Sequence, residues 1–152
     1  MEHSVVHKTI NVLLIEDLNY DAQLEQTILE KSEAEYTVQW VSNKNEFYEA
    51  CEQFIPDVVV SYYHLPDITV EEVIEYINSK FKYVPIIVIS GAIGEELTIE
   101  ILKCGAIDVL LKQHLFKLPQ AINRAINEMN KRKELDETLE KLKKTKDIQE
   151  LI

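Results

Sequence analysis

Five apolar runs, each followed by a stretch of helical period, predict a doubly wound α/β fold around a parallel sheet. Two further observations narrow this class. Val12-Leu13-Leu14-Ile15, Val58-Val59-Val60 and Ile86-Ile87-Val88-Ile89 are unbroken Val, Ile and Leu, as strands buried on both faces require. Tyr36-Thr37-Val38-Gln39-Trp40-Val41 instead alternates polar and apolar residues, which suits a sheet edge. Five strands alternating strictly with five helices match a flavodoxin-like sheet of order 2-1-3-4-5.

The elements follow in order. Strands are expected near 11–15, 36–41, 57–61, 85–89 and 107–111. The first helix is marked by Ala22, Leu24, Ile28 and Leu29, and the second by Phe47, Ala50 and Phe54. Ser42 is expected to cap the second helix, with Asn45 and Glu46 in its first turn. Val73, Ile74 and Ile77 mark the third helix; Leu97, Ile99 and Leu102 mark the fourth. Gly105 lies where a left-handed residue would end that fourth helix, and Pro119 fits the first turn of the last one.

The bulk composition sets limits on function. The chain has 152 residues, 46% of them hydrophobic, which is one domain with a real core. No run is long enough to cross a bilayer, and residues 1–9 lack the apolar segment of a secretory signal, so a cytoplasmic protein that does not enter membranes is expected. Cys51 and Cys104 are too few for a disulfide framework or a zinc site and are read as reduced, half-buried thiols. Residues 1–117 carry 8 Lys and Arg against 20 Asp and Glu, whereas residues 118–152 carry 8 against 7. An acidic body of this kind repels nucleic acid, so no nucleic-acid partner is expected.

The chemistry gathers at the carboxyl ends of the strands, where open α/β sheets place their sites. The first strand runs into Glu16-Asp17, the third into Tyr62, the fourth into Ser90 and the fifth into Lys112. Around them lie Ser61-Tyr62-Tyr63-His64-Leu65-Pro66-Asp67, Ser90-Gly91-Ala92-Ile93-Gly94-Glu95-Glu96 and Gly105-Ala106-Ile107-Asp108. In residue type and position this set resembles the phosphorylation pocket of response-regulator receiver domains, over roughly residues 10–127. The resemblance implies a signal-transduction module of a two-component or phosphorelay system rather than an enzyme. Its partners would be a histidine kinase or another signalling protein. By position, Asp17 would ligate Mg²⁺ directly, Glu16 through a water, and His64 through its backbone carbonyl. Ser90 and Lys112 would hold phosphoryl oxygens.

The departures from that pattern matter as much. Tyr62 stands where the family carries the aspartate that accepts the phosphoryl group, so the resemblance is to a receiver that has lost its acceptor. With that carboxylate gone, Mg²⁺ binding is expected to be weak, and no organic cofactor is expected. Val109 occupies the switch position where receivers often carry an aromatic residue, and Gln113 replaces a common proline. Nothing local activates the phenol, so Tyr62 is read as a packing residue over a dead pocket in preference to a conformational lock. An enzyme on the same fold is disfavoured, because the acidic turn Glu16-Asp17-Leu18-Asn19 would repel the phosphate of a flavin or nucleotide.

The chain therefore divides into an N-terminal arm (1–9), a receiver domain (10–127) and a helical extension (128–152). Ile122, Ile126 and Met129 form one helical seam, and Leu135, Leu139 and Leu142 form a second, out of register with the first. Two readings stand for the second seam: a solvated helix that frays beyond about residue 143, or a short two-stranded coiled coil. The coiled-coil reading implies a homodimer. It also supports an alternative function, an inert dimerising scaffold with the helical tail as output.

Overall fold

The computed structural model describes residues 8–91 and 94–150. Strands β1 (Ile10–Ile15), β2 (Tyr36–Val41), β3 (Val58–Tyr62), β4 (Ile86–Ser90) and β5 (Asp108–Leu111) form one parallel sheet in the order β2-β1-β3-β4-β5. Helices α1 (Asn19–Glu30), α2 (Lys44–Gln53), α3 (Val70–Lys80), α4 (Glu95–Cys104) and α5 (Leu118–Glu150) alternate with them. A short 3₁₀ segment, Lys112–Lys117, joins β5 to α5. The predicted fold class and strand order are those of the structure.

Side-chain alternation along the strands splits the interior in two. Leu13, Ile15, Val59 and Val88 meet Phe47 of α2, Ile74 and Ile77 of α3, and Ile101 of α4 on one face. Val12, Leu14, Val60 and Ile89 meet Ala22 and Leu29 of α1 and Leu118 and Ile122 of α5 on the other. Residues 58–60 and 86–89 are fully buried, whereas β2 alternates between half-buried and exposed along most of its length, as its edge position requires.

Several local expectations need correction. β3 and β4 each begin and end one residue later than expected, which makes Tyr62 and Ser90 the last residues of their strands. The cap of α2 is Asn43, whose side chain accepts from the Glu46 N–H at 2.9 Å; Ser42, one residue earlier, instead donates to the Glu46 carboxylate. On α1 the inward face is Asp21, Ala22, Glu25 and Leu29, while Leu24 is exposed. On α4 only Ile101 is buried, and Ile99 and Leu102 face outward. Cys51 is buried but Cys104, in the last turn of α4, is exposed.

Gly105 ends α4 as expected, at φ +121°. α5 is one unbroken helix of 33 residues, about 50 Å long at the usual rise, with no break near residue 143. Its first turns pack on the sheet through Leu118, Ala121, Ile122 and Ala125, and Met129 is half-buried at the lower rim beside Pro56, Tyr83 and Pro85. Beyond it the Tyr83 hydroxyl donates to Asp136 Oδ2 at 2.9 Å. No helix among the described residues is long and apolar enough to cross a membrane.

Candidate functional site

Parallel pairing brings the four strand ends to one edge. Ile15 lies opposite Ser61, Tyr62 opposite Ile89, and Ser90 opposite Leu111. Glu16, Asp17, Tyr62, Ser90 and Lys112 therefore converge, as their positions in the sequence anticipate. His64 sits two residues beyond β3 with an exposed side chain whose ring meets Tyr63 edge-on at 4.8 Å. Val109 lies within β5 opposite Val88, half-buried against the core on the α4 side.

Glu16 is fully buried. Its Oε1 accepts from the Leu18 N–H at 3.2 Å, while Oε2 has no partner among the described residues. Burial is the main cause that pushes its carboxyl up to about 7; the Leu18 bond opposes this, and the carboxylates of Asp21 and Asp17 reinforce it. Ser90 is also fully buried, and its hydroxyl likewise lacks a partner. Asp17 is half-buried beside them.

Two residues that sequence reasoning passed over complete the cluster. Asp21, buried in the first turn of α1, takes the ammonium of the partly exposed Lys112 in an ion pair at 2.8 Å. That bond is the main cause that holds the Lys112 pKa above its ordinary value. Glu25, one turn further along α1, is 1% exposed, and its Oε2 has no partner among the described residues. Its carboxyl is pushed up to about 8, first by burial and then by the charges of Glu16 and Asp21, with Lys112 pulling the other way. The signal for both was present in the sequence. Stepping by helical turns from Asp21 reaches Glu25 and then Ile28, so two acids share the face that contains Ala22 and Leu29.

Tyr62 is half-buried at the end of β3 and packs against the core on the α1 and α5 side. The Lys112 ammonium lies 5.5 Å from the centre of its ring. A methyl built on Gly91 would stand 4.0 Å from its hydroxyl, so the phenol reaches the start of the loop after β4. Ser61 and Asp67, in the same stretch, are engaged elsewhere. Ser61 is buried and donates to the Tyr62 carbonyl at 3.1 Å, and Asp67 accepts from the Lys44 N–H at the start of α2.

These residues fit a magnesium ion only in part. Glu16 and Asp17 supply carboxylates, and the unpartnered Glu16 oxygen is of the right kind. The third strand offers a neutral phenol where a hard cation wants an anionic oxygen. Among the described residues no three His, Cys, Asp or Glu side chains are grouped to hold a metal.

The comparisons bear on the fold and the family. The chain resembles in fold the CheY-like response regulator receiver domain protein of Methanospirillum hungatei JF-1, at 20% identity and TM-score 0.71, covering 82% of this chain and 99% of that one. A response regulator receiver domain protein of Clostridium thermocellum matches at 26% identity and TM-score 0.69, covering 83% and 98%. The response regulator domain of Thermotoga maritima CheB matches at 22% identity and TM-score 0.69, covering 79% and 98%. The search of curated proteins finds no match. The family model of the response regulator receiver domain matches residues 12–123, so this chain belongs to the response regulator receiver family.

Proposed function

We propose that this receiver does not accept a phosphoryl group at the usual position and signals through protein contacts, with a histidine kinase or another signalling protein as its partner. One observation carries the reading: the side chain that β3 delivers to the pocket is the phenol of Tyr62, and Lys112 is committed to Asp21. Phosphoryl transfer needs a nucleophile, a cation that neutralises the developing charge, and donors on the phosphoryl oxygens. Ser90 and Lys112 are donors of the right kind, and Glu16 and Asp17 would hold Mg²⁺ weakly, with His64 contributing only a carbonyl. The nucleophile is what the pocket lacks. Among the described residues no carboxylate is hydrogen-bonded to the Tyr62 hydroxyl to take its proton, and the nearest charged group to its ring, Lys112, is a cation.

Intact-mass measurement after treatment with a small-molecule phosphodonor and Mg²⁺ tests this. The native chain is expected to remain unmodified, and Tyr62→Asp is expected to gain one phosphoryl group in a Mg²⁺-dependent way. A phosphoryl adduct on the native chain would refute the reading. The alternative, a dimerising scaffold whose receiver body is inert, is favoured by the 33 residues of α5, which run well past the sheet. A partner kinase that binds the body but not the isolated extension would decide against that alternative.

A further inference from the structure

From Asn130 to Asp147 every residue of α5 is exposed, and three of them are leucines: Leu135 at 59%, Leu139 at 55% and Leu142 at 62%. They stand at i, i+4 and i+7 on one face of an unbroken helix. At about 100° per residue, this face lies roughly 140° around the helix from the Ile122, Ile126 and Met129 face that meets the body. The body therefore cannot cover the leucines. Among the described residues the last hydrogen bond from the body to α5, Tyr83–Asp136, lies just where the leucine face begins.

We propose that Leu135, Leu139 and Leu142 are the seam of a short, parallel, two-stranded coiled coil with a second copy of this chain. The three occupy heptad positions d, a and d. Parallel, in-register pairing buries three leucine layers and sets Lys131 of each chain, at g, against Asp136 of the other, at e. Antiparallel pairing would lay the acidic stretch Glu134–Glu140 on the basic stretch Lys141–Lys146, but it keeps only the Leu139–Leu142 layers and sets Leu135 against Lys146. Burying a whole leucine layer outweighs screened surface ion pairs, so the parallel arrangement prevails. Arg132 and Lys146, at the flanking a positions, place like charges at both ends and keep the pairing short and reversible. A single isolated partner helix of another protein would need its own matching seam; a second copy already has one. The pairing does not depend on the pocket, so it stands or falls separately from the phosphoryl reading.

Sedimentation velocity of the full chain over a wide concentration range is expected to show a reversible monomer–dimer equilibrium. Leu139→Asp, at an exposed position that leaves the fold intact, is expected to weaken it by about tenfold or more. Circular dichroism of the variant checks that the fold is retained. For orientation, Lys146→Cys in a Cys104→Ser background is expected to cross-link into a disulfide dimer under mild oxidation. In the antiparallel pair the two introduced cysteines lie about eleven residues apart along the axis and cannot meet. A strict monomer at all concentrations would overturn the proposal and assign the leucines to another occupant. A dimer indifferent to Leu139→Asp would place the interface elsewhere. A Leu139-dependent dimer that fails to cross-link at position 146 would refute the parallel arrangement.

Discussion

Glu25 shows what a single side chain does to the physics of this molecule. It is a buried carboxyl with one unpartnered oxygen, two acidic neighbours and one distant cation, and its pKa rises from 4.5 to about 8 on folding. Between these values the folded chain keeps a proton that the unfolded chain has released. The folded state then binds more protons, so stability falls as pH rises from about 5 to about 8 and levels off above that. The loss across this window is on the order of several kcal/mol. Thermal melts at pH 5, 6, 7 and 8 are expected to show a steadily falling midpoint. Glu25→Gln, which is neutral at every pH, is expected to reduce that slope, leaving the part that Glu16 contributes up to about pH 7. An unchanged slope in the variant would mean that Glu25 ionises normally. Tyr62 makes a complementary point at the same scale: it fills the end of β3 and offers its ring to Lys112, while the carboxylates of the cluster come from the end of β1 and from α1.

Among the elements, the end of α4 tests most sharply how geometry limits sequence. Gly105 sits at φ +121°, a backbone region that side chains other than hydrogen rarely adopt. A methyl there would also stand 2.7 Å from Asn78 Nδ2 and 3.2 Å from Ile74 Cγ2 of α3. Gly105→Ala is therefore expected to cost about 1–3 kcal/mol, from strain and the displacement of Asn78. Urea denaturation of the two proteins, with the slope of the transition unchanged, measures it. The start of α2 works by a different device: Asn43 satisfies the Glu46 N–H while Glu46 reaches back to Ser42, so both residues share the capping. The expectation that Ser42 was the cap missed by one residue because both neighbours are good caps, and only backbone dihedrals separate them.

For the molecule as a whole, the body and the extension are nearly separable. The two cores are complete by Ile126, and beyond Met129 the one hydrogen bond returning to the body among the described residues is that of Tyr83 with Asp136. Truncation after Asn130 is accordingly expected to leave the unfolding free energy of the body, measured by urea denaturation, within about 0.5 kcal/mol of the full chain, while self-association falls. A large loss of stability would mean that the extension is part of the receiver's own fold.

How much of this was legible beforehand follows from what each feature depends on. Strand order, the burial of β1, β3 and β4, and the convergence of Glu16, Asp17, Tyr62, Ser90 and Lys112 were determined by the sequence alone, because hydrophobic period and strand-end position are properties of local spacing. The helix faces were less legible. Leu24, Ile99 and Leu102 are apolar yet point to solvent, because the docking of a helix on a sheet sets its rotation, and a few apolar residues fit more than one rotation. The pairing of Lys112 with Asp21, 91 residues away, and the burial of Glu25 were decided only by tertiary structure. Neither partner's spacing encodes the other; the contact exists because α1 and the segment after β5 cross the same edge of the sheet, where a buried charge must find its counter-ion in space rather than along the chain.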